Sequence, residues 1–388
     1  MNNFQFYNPT RIIFGEGSIA RLKKLIPHKS RVLMLFGGGS IKKNGVYLQV
    51  ADALRKHELF EFGGIEPNPD YATLMKALKV VKKNKIDFLL AVGGGSVIDG
   101  AKFIAAANYY QGEDPWDIVS QGLGSSIKKA LPIGVVLTLP ATGSEMNRNS
   151  VVSNREKGEK RSFASEKVFP VFSILDPKVT FSLPKKQIRN GLVDAYVHIL
   201  EQYMTFPIEA AVQDRQSEAL MLAIHDIAQT ALKMDPPDYT ARANMMWVCS
   251  NALNHLIGVG VPQDWATHGI GHALTALYGL DHAESLAVVL PWLLWYKRAQ
   301  KKEKLLLYGY RVLDQKSQKY SERIDRTIEA LSAFFHSMGM PTTLTAYGLD
   351  PDKVAEEVEK QLEAEGFVRG EHKDVTPADA AAILRLSR

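Results

Sequence analysis

The alternation of short apolar runs with helical ones stops near residue 185, and that break constrains the fold more than any other feature of the chain. Before it, "RVLMLF" at 31–36 reads as a buried strand and "VYLQVADALRKH" at 46–57 as a helix. "LFEFGG" is a second strand and "YATLMKALKVVKKNK" at 71–85 a second helix. "DFLLAVGGG" at 87–95 and "SVIDGAKFIAAANYY" at 96–110 repeat the pair, and "LPIGVVLTLPAT" at 131–142 and "PVFSILDP" at 170–177 add strands. Continuously apolar strands separated by helices predict a parallel sheet covered on both faces. After Pro184 the apolar residues recur every three to four positions through 209–233, 239–257, 264–278, 284–300 and 320–337, and strand signals nearly vanish. The expectation is an α/β domain over 1–184 followed by an all-α domain over 185–388. A length of 388 residues supplies material for two cores.

Composition narrows the setting. The chain is 46% hydrophobic and 23% charged, ordinary for a globular protein. Net charge is +5, but the surplus is spread along the chain. Its densest patch, "KRAQKKEK" at 297–304, follows a helical segment and reads as a solvated helix end, not a nucleic-acid site. One cysteine, Cys249, excludes an internal disulfide and suggests a reducing compartment. The N-terminus "MNNFQFYNPT" lacks the basic and apolar regions of a signal peptide. The apolar stretch "SLAVVLPWLLWY" at 285–296 is too short to span a bilayer, so a cytoplasmic location with no membrane partner is expected.

Two segments share one design: "LFGGGSIKKNG" at 35–45 and "AVGGGSVIDGAK" at 91–102 each run strand, Gly-Gly-Gly-Ser, helix. Glycines admit a ligand close to the backbone, and the helix N-terminus beyond offers unpaired N–H groups that suit phosphate. Ser40 and Ser96 are candidate helix caps. The alternative is two tight turns without a ligand, and two such runs in one α/β domain favour a nucleotide. Neither is the G-x-G-x-x-G fingerprint, because Lys42 and Ile98 occupy the third glycine's place. The segment "LTLPATGSEMN" at 137–147, rich in small hydroxyl residues after a strand, is a candidate lining. No Asp or Glu lies in 31–45 to bind a ribose 2′-hydroxyl, as an NAD site usually requires. Gly37, Gly38, Gly39 and Ser40, with Lys42 and Lys43 nearby, leave room and positive charge for a 2′-phosphate, unless the lysines are merely solvated.

In "GLVDAYVHILEQY" at 191–203, Asp194 and His198 stand four apart in a run that otherwise reads as a buried helix. In "WATHGIGHALTALYGLDH" at 265–282, His268 and His272 repeat that spacing and His282 follows Gly279. Four apart on a helix means one face. A lone apolar-face histidine is usually a core residue, but two such pairs favour a divalent-metal set of Asp194, His198, His268 and His282. "HGIGH" lacks the glutamate of H-E-x-x-H, which disfavours a metalloprotease.

With "PTRIIFGEGSI", "GGIEPNPDYATLM", "LLAVGGGSVIDGAKFIAAA" and "GVPQDWATHGIGHALTALYGLDHAESLAVVLP" added to these motifs, the chain resembles the iron-containing (group III) alcohol dehydrogenase family over nearly its whole length. It is most similar to the butanol-dehydrogenase branch of NADPH-dependent bacterial aldehyde reductases. The resemblance implies the dehydroquinate synthase-like fold of that family, with an N-terminal dinucleotide-binding domain and a helical C-terminal one. It implies a catalytic iron or zinc held at the positions of Asp194, His198, His268 and His282. The position matching His272 lies close to the metal and the nicotinamide without being a usual ligand. Gly94, Gly95, Ser96 and Asp99 match the family's pyrophosphate run. Thr138, Thr142 and Asn147 match the loop flanking the nucleotide, and Lys160 a basic position on the following hairpin. Gly38, Gly39 and Ser40 match the NADP-accepting form of the first loop, where NAD-dependent members typically carry aspartate. "SEMNRNSVV" at 144–152 departs from that branch, which more often has smaller residues where Arg148 and Asn149 stand.

The expected activity is reversible reduction of an aldehyde to a primary alcohol with NADPH, with His272 as the proton relay or, alternatively, a packing residue. A homodimer is the expected assembly, although no residue pattern sets oligomer size. Two other readings stay open. A lyase like dehydroquinate synthase would need a basic pocket, whereas 250–270 offers Leu256, Ile257 and Trp265. A non-enzymatic nucleotide- or metal-binding protein would need only the loops or the histidines.

Overall fold

The computed structural model describes residues 1–316 and 319–388. It resolves into two compact units. One comprises Tyr7–Pro184 with Met234–Ser250; the other comprises Met1–Phe6, Lys185–Lys233 and Asn251–Arg388.

The first unit is built on eight strands: β1 (Arg11–Phe14), β2 (Arg31–Phe36), β3 (Glu58–Phe62), β4 (Phe88–Gly94), β5 (Ile133–Leu139), β6 (Asn149–Asn154), β7 (Glu159–Ala164) and β8 (Phe172–Leu175). Six form one sheet in the order β1-β8-β5-β4-β2-β3. Every pairing in it is parallel. Val32 to Leu35, Leu89 to Val92, Val135, Val136, Ile174 and Leu175 are all buried, so these strands are apolar on both faces and show no alternation. Helices Val46–Ala53, Tyr71–Lys83 and Gly95–Ala107 connect them. From β2 the chain runs out to the edge at β3, then returns to the other side of β2 as β4. The strand order therefore reverses between β2 and β4, and ligands of open parallel sheets bind outside the carboxyl ends of strands at such a reversal.

Two features of this unit escape the pattern reading. β1 is a half-exposed edge strand with no buried residue. β6 and β7 form an antiparallel hairpin whose second strand, "EKRSFA", carries too much charge to read as a strand.

The second unit is helical, with Lys185–Tyr203, Ala211–Ala231, Ala266–Tyr278, His282–Tyr296, Lys302–Arg311, Tyr320–Ser337, Pro351–Ala364 and Pro377–Leu386 as its longer elements. The helix expected from 284 begins at His282, because Asp281 caps it and completes a capping box with Glu284. The basic patch at 297–304 is not simply a solvated end. Lys301 and Lys304 are buried, and Lys301 Nζ contacts Asp264 Oδ2 at 2.8 Å and Glu371 Oε1 at 3.2 Å. Spacing on a helix cannot reveal acidic partners supplied from elsewhere in the chain. No described helix is long and apolar enough to cross a membrane.

Candidate active site

Both Gly-Gly-Gly-Ser runs lie at the reversal point, since Phe36 of β2 and Val92 of β4 are register partners. They differ in what the glycines do. A Cβ on Gly93 would come within 2.5 Å of Val97 Cγ2, and one on Gly95 within 2.5 Å of Thr142 Oγ1. That run is glycine because strand, turn and helix pack too tightly for a side chain. A Cβ on Gly38 or Gly39 would meet nothing within 4 Å, and Gly39 has φ of 92°, which favours glycine. The first loop is thus open where the second is closed. Gly38, Gly39 and Ser40 follow β2 directly, and Gly94, Gly95 and Ser96 join β4 to the helix Gly95–Ala107. Ser96 Oγ accepts from Asn68 N at 3.2 Å, so its hydroxyl ties down a neighbouring loop. Lys42 is already paired: its Nζ lies 3.2 Å from Glu61 Oε2 and 5.1 Å from the Phe36 ring centroid.

Thr138 lies in β5, beside β4, and Thr142 and Asn147 follow it on the loop to the hairpin. That loop is bound to the Gly95–Ala107 helix through Lys102, which the sequence reading passed over. Lys102 is fully buried, and its Nζ donates to Ser144 Oγ at 2.7 Å, Asn147 Oδ1 at 3.0 Å and Asn149 O at 2.7 Å. One turn earlier, Asp99 accepts from Ser144 Oγ at 2.5 Å and Val151 N at 3.0 Å. Burial pushes Asp99 up from the usual carboxylate range, against the Lys102 and Lys160 charges. Burial pushes Lys102 down to about 8, against the Asp99 charge. Asp99 and Asn147 therefore spend their side chains on an internal network. Arg148 turns away to Glu166 at 3.5 Å. The signal for Lys102 is its D-x-x-K spacing, which puts a cation one turn beyond a buried carboxylate.

The helical unit collects the histidines. The Lys185–Tyr203 helix is buried nearly all round from Gly191 onward, and Asp194 and His198 share one of its faces. His268 and His272 lie on Ala266–Tyr278, while His282 is the first residue of His282–Tyr296. The glycines of "HGIGH" let those helices close in: a Cβ on Gly271 would come within 2.9 Å of Leu286 Cδ2, and one on Gly269 within 2.4 Å of Phe367 Cε2.

Among the described residues, Asp194, His268 and His282 each offer one ligand atom, all within 4.8 Å of one another. His198 stands beside them, with Nδ1 3.5 Å from Asp194 Oδ1 and its ring centroid 4.5 Å from that of His268. His282 Nε2 is 3.7 Å from Asp194 Oδ1. The His272 ring lies 5.3 Å from that of His282 and 6.3 Å from that of His268, at the margin of the group. Burial pushes His198 down to about 4, despite the Asp194 charge, so it is neutral at pH 7. Neutral imidazoles with a carboxylate are a donor set that suits a divalent ion of the zinc or ferrous class, and the buried cluster fits one. A second residue beyond the sequence reading adjoins the cluster: Glu201 accepts from His268 N at 3.0 Å. Burial and the neighbouring Asp264 push its carboxyl up.

Comparison with known proteins covers nearly the whole chain. Residues 9–177 match the family model "Iron-containing alcohol dehydrogenase", and residues 189–387 match "Fe-containing alcohol dehydrogenase family, C-terminal". The chain is 53% identical over 390 residues to the NADPH-dependent aldehyde reductase YqhD of Escherichia coli, covering 100% of both. It is 40% identical over 392 residues to the probable NADH-dependent butanol dehydrogenase 1 of Bacillus subtilis, again covering 100% of both. Among solved structures, that of E. coli K-12 YqhD superposes with a TM-score of 0.97 at 51% identity, covering 100% of this chain and 99% of that one. NADH-dependent butanol dehydrogenase A from Thermotoga maritima does so with a TM-score of 0.92 at 38% identity, covering 100% of this chain and 99% of that one. With both units matched and the sheet, glycine loops and histidine cluster in place, the chain belongs to the iron-containing alcohol dehydrogenase family.

Proposed function

We propose that this chain is a metal-dependent, NADP(H)-linked aldehyde reductase and alcohol dehydrogenase of broad range, interconverting aldehydes such as butanal with their primary alcohols. The observation that carries the reading is the convergence of Asp194, His268 and His282 on one point, with His198 alongside, in a chain of this family. When bound, Fe²⁺ or Zn²⁺ supplies a Lewis acid that polarises a carbonyl, and NADPH supplies the hydride. Asp194, His198, His268 and His282 hold the ion. One carboxylate among neutral imidazoles leaves the site net positive, which suits an oxygen that gains negative charge during reduction. His272, half-buried one turn beyond His268, gives a proton from its ring to the substrate oxygen. The balance is one aldehyde, one NADPH and one proton to one alcohol and one NADP⁺.

Gly38, Gly39 and Ser40 receive the 2′-phosphate in the open first loop. Gly94, Gly95 and Ser96 receive the pyrophosphate at the N-terminus of the following helix. Thr138, Thr142 and Lys160 flank the nucleotide, and Asp99 and Asn147 contribute through the loop they hold. The assembly proposed is a homodimer in a reducing cytoplasm, where Cys249, buried, stays a thiol.

The test follows nicotinamide absorbance with butanal, using NADPH and NADH in parallel, in wild type and Gly38→Asp. Gly38 faces open space, so the substitution adds a carboxylate without a packing clash. Like charges placed together cost several kcal/mol, at roughly tenfold per 1.4 kcal/mol. The wild type should favour NADPH, and Gly38→Asp should shift strongly toward NADH. Equal kcat/KM on both cofactors in the wild type would sink the cofactor preference; no turnover of any aldehyde would sink the activity.

A further inference from the structure

We infer that Glu201 is a positioning residue for the metal site: it fixes the ring of His268 so that Nε2, not Nδ1, is the ligating atom. The inference rests on the metal reading above and extends it to a residue outside the ligand set. Glu201 lies three residues beyond His198 and seven beyond Asp194 on the Lys185–Tyr203 helix, so all three project from the same side. Its side chain is 1% exposed. The Oε1 atom accepts from His268 N at 3.0 Å and lies 3.4 Å from His268 Nδ1.

His268 is the third residue of its helix, and the N–H groups of a helix's first turn have no partner within the helix. The Oε1 atom satisfies that orphan donor at the positive end of the helix dipole, and a divalent ion beyond the ring would favour the ionised form of a carboxyl that burial pushes up. An oxygen that already accepts the backbone N–H presents an acceptor to the ring as well. Nδ1 therefore carries the proton, and the lone pair falls on Nε2. A carboxylate behind a ligating histidine both sets the tautomer and makes the ring a better donor.

Glu201 is itself held by its surroundings. Its carbonyl accepts from Asp264 N at 2.9 Å. Asp264 in turn caps Ala266 N at 3.0 Å through Oδ1 and takes Lys301 Nζ at 2.8 Å through Oδ2. Trp265, between them, is held at φ of 60°, a strained value for a non-glycine residue that tightly determined surroundings sustain. The start of the His268 helix is thus anchored from two sides, by Asp264 and by Glu201.

The test measures Zn²⁺ affinity of the full chain by competition with a chromogenic chelator, in wild type and Glu201→Gln. Glutamine keeps an acceptor oxygen of the same reach and removes the charge. Glu201→Gln should bind Zn²⁺ about 10–100-fold more weakly, the usual effect of losing such a partner. The thermal midpoint of the zinc-free protein should stay near that of wild type, which a residue serving only as a helix cap would not predict alongside the affinity loss. Wild-type Zn²⁺ affinity in the variant would overturn the inference. Nitrogen NMR of zinc-loaded wild type, labelled at histidine, gives a second reading that does not depend on the variant folding. A protonated Nδ1 on His268 supports the assignment, and a zinc-bound Nδ1 overturns it. Wild-type protein that takes up no Zn²⁺ at all would instead overturn the metal site itself.

Discussion

The two units each bury a polar cluster inside apolar packing, and they solve the electrostatic problem differently. In the α/β unit the cluster brings its own cation. Lys102 spends three donors on Ser144, Asn147 and Asn149, and Asp99 is filled by Ser144 and Val151. In the helical unit the cluster gathers lone-pair donors, a carboxylate and imidazoles that face one another within a few ångströms. A buried network satisfied from within is scaffold. A buried set of ligand atoms on separate helices, each aimed at a common point, is a place for an external cation. The contrast explains why the loop after β5 is shaped by bonds within the protein while the histidine cluster presents ligand atoms to one another.

The contrast breaks most severely at His198. His198→Ala should remove bound metal and, with it, aldehyde reduction altogether; metal analysis of protein purified without chelators checks the first, and an NADPH assay the second. Stoichiometric metal in this variant would remove His198 from the ligand set. His272→Ala probes the margin of the same cluster. It should keep its metal and bind NADPH, yet turn over aldehyde about 10²–10⁴-fold more slowly, the usual loss for a positioned acid. Its pH–rate profile should lose a limb that wild type shows. Arrival without metal would make His272 a ligand, and full activity with an unchanged profile would make it a packing residue.

In the α/β unit the matching cut is Lys102→Met. It leaves the Ser144, Asn147 and Asn149 acceptors buried without their shared donor, which costs about 1–3 kcal/mol per unsatisfied group. Urea unfolding should register that loss, while metal content should not change. A smaller effect separates the units by pH. The His198 imidazole titrates at about 4 in the folded, metal-free chain against 6.5 ordinarily, because burial disfavours its charge. Between those values the unfolded chain binds the proton and the folded chain does not. Stability of chelator-treated protein should therefore fall as pH drops from about 6.5 toward about 4, by up to ~3 kcal/mol. His198→Ala should reduce that limb, leaving the part due to His225, which burial also pushes down to about 4, and Lys102→Met should not change it.

The sequence by itself determined the fold class and which polar side chains share a helical face. Strands buried on both faces must be apolar throughout, so β2, β4, β5 and β8 announce themselves in one dimension. Helical spacing places Asp194 over His198 and His268 over His272 before any coordinates exist. The half-exposed edge strand β1 and the charged strand β7 stayed hidden, because neither needs an apolar run to hold its place. Motif matching named Asp99 and Asn147 as nucleotide contacts, but only tertiary structure reveals that their polar atoms meet Lys102 and the 144–151 backbone. Equally, Glu201 is one acidic residue among forty-two Asp and Glu until the Ala266–Tyr278 helix lays the backbone N–H of His268 against it. Local periodicity fixes which residues share a face. It is silent about which other element that face meets, and a buried charge is decided by its partner, which stands here 67 residues away.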